Sequence, residues 1–420
     1  MKKLFRKIHL WLSIPFGILI TLICFSGAML VYEKEITEWC RPDLYFVQTV
    51  KEVPLPMEEL MESVAATLPE GTSITGVTVS PDAKRAYQVS LSQPRRASLY
   101  VDQYTGEVKG GNVRLPFFDV MFHLHRWLMG ASESANGGMS VGKFLVGLST
   151  LLLVIILLTG ILMWLTNRHK PLTKSLTISF TKGWPRFWHD LHVAGGIYAT
   201  ILLLAMSLTG LTWSFGWYRT GFYSLFGVEA SAEGGHSHGG GNQSSRGDSG
   251  RGDRANGEAR QGRGGRGNRG EGRGGRPEGA EGRRPHRSPY AHWQQVYETL
   301  AESHLGYRQI TLGAGTASVV PQGRNSLRAG DTFTFDTRSG ELTDSKPYAD
   351  QPCSTKLHGW IYTWHVGSWG GAITRLLTFL SSLIGATLPL TGYYLWIRRL
   401  QRKKHGAGAY QAAEGWRVNT

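Results

Sequence analysis

Cysteine is scarce in this chain of 420 residues: there are three, and none belongs to a Cys-x-x-Cys-His motif, which excludes covalently attached c-type haem. There is no His-Glu-x-x-His and no carboxylate at ligand spacing to the membrane histidines, so a hydrolytic zinc site is not expected. No glycine fingerprint of a dinucleotide fold lies next to a strand, and the loop from Asn167 to Asp190 is too short to fold around a flavin or nicotinamide. Acidic residues are outnumbered, 31 against 46 Lys and Arg, for a net charge of +15. The excess sits in three basic edges of apolar runs and one low-complexity tract, so nucleic acid is not an expected partner.

What the chain does have is four long apolar runs, Ile8 to Tyr32, Lys143 to Thr166, Leu191 to Trp217 and Ile373 to Ile397. Each reaches the roughly 20 residues that a bilayer crossing needs. The first is too long for a cleaved signal peptide and lacks a small-residue cleavage site. Lys2, Lys3, Arg6 and Lys7 precede the first run; Arg168, Lys170, Lys174, Lys182 and Arg186 separate the second and third; Arg398, Arg399, Arg402, Lys403 and Lys404 follow the fourth. The positive-inside rule places these segments and both termini in the cytoplasm and both long connections outside, in a bacterial periplasm or its equivalent. Cys40 and Cys353 both fall outside, where a disulfide between them is an open question, while Cys24 lies within the first helix.

The chain is duplicated. His9 lies eighteen positions before Gly27 of Ser26-Gly27, and His192 lies eighteen before Gly210 of Thr209-Gly210. The second and fourth helices end alike, in Leu158-Thr159-Gly160 and Leu390-Thr391-Gly392, each followed by an aromatic segment and arginine. Upstream of each stands another histidine in an aromatic setting, His125 before Arg126-Trp127 and His365 after Trp364.

Each half reads helix, outer domain, helix. Residues 1–33 form the first membrane helix, 34–116 the first outer domain, and 117–170 an interfacial segment with the second helix. After a cytoplasmic loop at 171–190, the third helix occupies 191–218 and a connector 219–233; the second outer domain spans 288–350, an interfacial segment with the fourth helix 351–400, and a cytoplasmic tail 401–420. Each outer domain is expected to hold one helix, Met57 to Leu68 or Ala291 to Ser303, before strands such as Ser73 to Val79 and Ala86 to Leu91. Each contains a hairpin turn, Asp102 to Glu107 and Asp336 to Glu341, in which glycine takes positive φ. Between connector and second domain, 234–287 is Gly, Arg, Ser and acidic residues with almost nothing apolar, so it is expected to be a disordered, solvated tether. His236-Ser237-His238 within it is at most a loose metal catch.

The Asp-x-x-[Thr/Ser]-Gly-Glu turns, the single helix before a small sheet and four membrane helices with one histidine each resemble the PepSY-associated transmembrane family, over nearly the whole chain apart from the Gly/Arg tract. The resemblance implies an α+β membrane protein of two tandem repeats with PepSY-like periplasmic domains. The family includes inner-membrane reductases of ferric siderophores that carry two b-type haems.

Topology sorts the histidines. Two helices start inside, so His9 and His192 share the cytoplasmic side, and His125 and His365 share the outer side. Ionisable groups at membrane depth are costly and mark functional paths. One imidazole on each face of a porphyrin iron is the usual electron-transfer arrangement, so two non-covalent, bis-histidine b haems are expected. Eighteen residues span about 27 Å, which brings Gly27 and Gly210 to the outer level and, by the same argument, Gly160 and Gly392 to the inner one. There, small residues let a macrocycle approach or simply let helices pack closely. Arg126 and Arg375 are candidate propionate partners outside, with Arg6, Lys7 and Arg186 inside. His123, His189 and His358 compete for the ligand roles, since each lies near an assigned histidine. Trp127, Trp360, Trp364 and Trp369 form an interfacial belt or line a docking surface.

The expected activity is transmembrane electron transfer by a haem-dependent metalloreductase. Electrons run from a cytoplasmic reductase or membrane quinol to a periplasmic acceptor, by resemblance ferric iron in a siderophore. The rival expectation is a membrane-anchored PepSY protein that binds peptides, inhibits a protease or senses, without redox chemistry.

Overall fold

The computed structural model describes residues 2–94, 97–131, 138–166, 175–229, 288–324 and 326–417; the Gly/Arg tract with His236-Ser237-His238 lies outside them, as does most of the insertion around Ala131 to Gly138. The protein is α+β, with four helices long and apolar enough to cross a membrane. They are α1 (Lys2–Leu30), α4 (Val141–Leu165), α5 (Gly196–Ser214) and α8 (Gly371–Arg417). Around the bundle α1 and α5 are diagonal, each packing on both α4 and α8. Ile20, Cys24, Ile156, Leu157, Ala199, Leu203 and Ala386 fill the middle of the bundle. Gly385 permits that packing: a Cβ there would stand 2.8 Å from Leu203 Cδ2 and 3.3 Å from Cys24 Sγ. Outward, Ile18, Ile201 and Ile373 are 62%, 78% and 73% exposed, an apolar surface that a bilayer would cover.

The two segments expected as separate outer domains share one 8-stranded sheet, in the order β4-β3-β2-β1-β5-β6-β7-β8. The first contributes α2 (Met57–Thr67), β1 (Ile74–Val79), β2 (Tyr87–Leu91), β3 (Ser98–Val101) and β4 (Val108–Gly111). The second contributes α6 (Trp293–Ser303), β5 (Tyr307–Gly313), β6 (Thr316–Pro321), β7 (Asp331–Phe335) and β8 (Leu342–Lys346). At the seam β1 runs antiparallel to β5, Val77 facing Leu312 and Val79 facing Ile310, and the Thr78 and Thr311 hydroxyls meet at 3.1 Å. Pairing satisfies two strand edges that separate domains would leave open.

The helices interlock across the same seam. The Met57 amide donates to Gln294 Oε1 at 3.2 Å, and the Gln294 amide donates to Glu58 Oε1 at 3.0 Å, so each half caps the other's helix start. Beneath them Met57, Leu60, Met61 and Val64 share a core with Trp293, Val296 and Leu300. Trp293 is only 2% exposed, and Trp293→Ala is expected to cost about 3–5 kcal/mol, read as a lowered denaturant midpoint of the detergent-solubilised protein.

Both hairpin turns close alike. The Gly106 amide donates to the Asp102 carbonyl at 2.9 Å with Gly106 at φ 77°, and Gly340 donates to Asp336 at 2.8 Å with φ 75°. In each turn the Asp Oδ1 accepts a backbone amide two residues on, Tyr104 or Arg338.

A short helix, Glu33–Cys40, ties sheet to bundle through three carboxylates. Glu38 takes Arg85 in a two-pronged pair at 2.9 and 3.0 Å, Glu33 takes Arg114, and Glu35 takes Arg375. Arg375 also donates to the Val31 carbonyl, so it is committed to this joint. Cys40 and Cys353 are both exposed and unbonded to each other.

Candidate functional site: two facing histidine pairs

Each histidine is delivered by a different local structure. His9 lies on regular helix in α1. His192 sits in a single π-helical turn, Leu191–Gly195, between the helix Trp184–Asp190 and α5, the kind of bulge that inserts one residue to re-aim a side chain. His125 and His365 ride near the C-terminal ends of α3 (Pro116–Trp127) and α7 (Cys353–His365), which lead into α4 and α8. After α3 the chain turns through Leu128 at φ 48° and Met129 at φ 64°; after α7 it turns through Gly367 at φ 73°.

The structure brings these residues together in two pairs. The His9 and His192 rings have centroids 6.4 Å apart at the end of the bundle that bears both termini, and the His125 and His365 rings are 6.1 Å apart at the sheet end. Two imidazoles bound trans to one metal, with metal–nitrogen bonds of about 2 Å, have centroids about 6 Å apart.

All four rings are held by one device. His9 Nδ1 donates to the Ile156 carbonyl at 3.0 Å and stands 3.1 Å from Thr159 Oγ1. His192 Nδ1 donates to the Leu388 carbonyl at 3.1 Å and stands 2.9 Å from Thr391 Oγ1. His125 Nδ1 donates to the Ile23 carbonyl at 2.9 Å with Ser26 Oγ at 3.5 Å, and His365 Nδ1 to the Met206 carbonyl at 3.0 Å with Thr209 Oγ1 at 3.2 Å. A carbonyl only accepts, so Nδ1 carries the proton in every case. In the neutral ring Nε2 then has its lone pair available for a metal, the orientation that outer hydrogen bonds impose on ligating histidines. For His125, outside the spanning helices, burial holds the imidazole below its ordinary pKa, against the Ile23 hydrogen bond and with help from the Arg126 charge.

This geometry gives the Ser/Thr-Gly steps a different role from a seat for a macrocycle. A Cβ on Gly27 would meet His125 Cε1 at 2.8 Å, and one on Gly210 would meet His365 Cε1 at 3.1 Å. Gly160 and Gly392 lie 3.5 Å, measured the same way, from Cε1 of His9 and His192. The glycine makes room for an imidazole from another element, and the preceding hydroxyl, buried in all four cases, helps to hold its Nδ1. Sequence reading found the glycines and their levels but not the carbonyls of Ile23, Ile156, Met206 and Leu388, each three residues before the Ser or Thr. The recurrence of that hydroxyl was the available signal. Trp213, whose ring stands edge-on to His365 at 5.0 Å, had no sequence signal.

The competing histidines are engaged elsewhere. His123 Nδ1 donates to the Asp119 carbonyl on its own helix at 2.9 Å, His189 pairs with Asp190 at 3.2 Å, and His358 meets the Tyr223 hydroxyl at 3.4 Å. Arg126 lies against the rings of Phe122 and Trp127, 5.4 and 5.0 Å from their centroids, and Arg186 pairs with Asp190 at 2.8 Å. Among the described residues no three His, Cys, Asp or Glu side chains form a group able to hold a metal ion. Each histidine pair therefore offers two protein ligands, short of the three or four of a zinc site and equal to the two axial ligands of a porphyrin iron.

A search of curated proteins finds no match to the chain. Residues 6–399, which contain both histidine pairs and most of all four membrane helices, match the PepSY-associated TM region family, and the chain belongs to that family.

Proposed function

We propose that this membrane protein is a di-haem b-type electron carrier that passes electrons across the bacterial inner membrane to a periplasmic acceptor. The observation that carries this reading is the fourfold repetition of one ligand mount, Nδ1–H on a carbonyl of a neighbouring helix with Nε2 left unprotonated, in rings that lie in two pairs with centroids about 6 Å apart. With haem bound, each site supplies one-electron exchange between ferric and ferrous iron, at a potential set by its axial ligands and their hydrogen bonds.

The chain's own residues do the rest. The pair at the terminal end, His9 and His192, receives from a cytoplasmic reductase or a membrane quinol; the pair at the sheet end, His125 and His365, delivers outside. The apolar filling around Ile20, Cys24 and Leu203 excludes water from the space between the pairs. Basic edges and termini face the cytoplasm and the 8-stranded sheet is periplasmic in this reading. The resemblance drawn from sequence makes the acceptor a ferric siderophore: one electron converts Fe(III) to Fe(II), which hard oxygen ligands hold far less tightly. The two halves, each with helix, four strands and helix, then act as tandem repeats that each lend one histidine to each pair.

The test is spectroscopic. Protein purified from haem-replete cells should show a Soret band, a sharp reduced α band and about two haems per chain, and reduced protein should reoxidise on adding ferric chelates. A colourless preparation would reject this reading and leave the peptide-binding or sensor function. A finer expectation concerns Thr391. Thr391→Val removes a hydroxyl from His192 Nδ1 but spares the Leu388 carbonyl, so the haem is retained and its midpoint potential rises by about 20–40 mV, measured by redox titration.

A further inference from the structure

The four histidine mounts are alike in their hydrogen bonds and unlike in what stands about one turn further along the helix that receives each ring. Three residues after the glycine, α1 carries Leu30, α4 carries Met163 and α8 carries Leu395, whereas α5 carries Trp213. Positions three and four apart share a helix face, so Thr209, Gly210 and Trp213 all meet His365 of α7. The Trp213 and His365 ring centroids are 5.0 Å apart with planes inclined 80°, the edge-to-face arrangement that aromatic rings favour. Among the described residues His9, His125 and His192 have no such companion, and the ring against each is that of its own pair-mate. The two pairs also differ in tilt: the His9 and His192 planes are inclined 87°, those of His125 and His365 52°.

We infer that Trp213 is a positioning residue for the sheet-end pair, its indole fixing the plane of the His365 imidazole and so the tilt between the two rings. The inference rests on the electron-transfer reading, since that tilt acts through iron. The Met206 carbonyl at 3.0 Å and Thr209 Oγ1 at 3.2 Å both act on one atom, His365 Nδ1. Hydrogen bonds at a single nitrogen fix where that atom sits and leave the ring able to swing about it. A contact with the ring itself removes this freedom, and Trp213 supplies one from the same helix that supplies the hydrogen bonds. At the matching step of α1, Leu30 offers no ring to His125, which is held through Ile23 and Ser26, so the two ligands of the sheet-end pair are restrained unequally. In low-spin ferric haem the tilt between axial imidazole planes sets the splitting of two iron d orbitals, and with it the low-field EPR line and part of the potential. A ligand that swings gives a spread of tilts and a broad line.

EPR spectra of the oxidised full-length protein in detergent test this, with haem content measured on the same samples. The wild type is expected to give two low-spin signals, and the one that disappears in His125→Ala belongs to the sheet end. Trp213→Leu gives α5 the residue that α1 has at this step. It should keep about two haems per chain, displace and broaden the sheet-end line, shift the sheet-end midpoint potential and leave the terminal-end signal as it was. Trp213→Phe restores a ring and should return the line toward its wild-type position, a rescue that filling space alone does not give. Should the leucine variant not fold, Trp213→Met, with the residue that α4 has at this step, reads the same way. A sheet-end line unmoved in the leucine or methionine variant, or moved as far by phenylalanine as by leucine, overturns the inference, and so does an equal shift at both ends. A wild type without low-spin signals overturns it together with the electron-transfer reading, whereas two signals indifferent to Trp213 sink the inference and leave that reading standing.

Discussion

Alanine in place of His9 or His192 is expected to take haem content from about two per chain to about one, and to stop reduction by a donor supplied at the terminal end. The two ring centroids lie 6.4 Å apart with the ring planes nearly perpendicular, and each ring is anchored to a different helix, His9 to α4 and His192 to α8. Removing either leaves one axial ligand and an open position, so the iron at that end is lost or becomes high-spin. His125→Ala or His365→Ala should do the same at the sheet end while the terminal-end haem still reduces. Quantitative haem extraction with low-temperature α-band spectra distinguishes the four variants. Full haem content with an unchanged spectrum in all four would refute the ligand assignment.

Replacing a glycine that is no ligand is expected to have an effect nearly as large, at one end only. Gly27→Ala places a methyl 2.8 Å from His125 Cε1, closer than such contacts allow, so the imidazole must leave its seat on Ile23 and Ser26. Overpacking of this kind costs roughly 1–3 kcal/mol, which is about 5- to 150-fold in affinity at the sheet-end site. Gly210→Ala, at 3.1 Å from His365 Cε1, should act in the same direction more weakly. By contrast Gly160→Ala and Gly392→Ala meet His9 and His192 at 3.5 Å, an ordinary contact, and should keep the terminal-end haem. Haem titration of the four single variants checks this order. Equal tolerance at all four positions would mean that the glycines serve helix packing and not the imidazole seats.

Much of the architecture was legible in the chain before folding was considered. The four apolar runs coincide with α1, α4, α5 and α8, because no soluble helix of that length stays apolar on every face. Met57 to Leu68 and Ala291 to Ser303 contain α2 and α6, and the two Asp-to-Glu turns are hairpins with glycine at positive φ. Less legible was the joining of two small sheets into one. Nothing in β1 or β5 announces its partner, because edge pairing uses backbone groups that every residue has. The π-helical turn at His192 was hidden for the same reason: Leu191-His192-Val193-Ala194-Gly195 reads as ordinary helix.

The site divides in the same way. Periodicity and charge determined that four histidines go with the four membrane helices at two levels, each level bearing small Ser/Thr-Gly steps, although the structure puts His125 and His365 on the short helices α3 and α7 that precede α4 and α8; the levels are one-dimensional information, so translation along a helix suffices to read them. Rotation about each helix axis, and hence which ring faces which, depends on packing among all four helices at once. Only the tertiary structure therefore decided that the rings pair across the bundle diagonal, that neighbouring-helix carbonyls fix their tautomers, and that the glycines seat imidazoles.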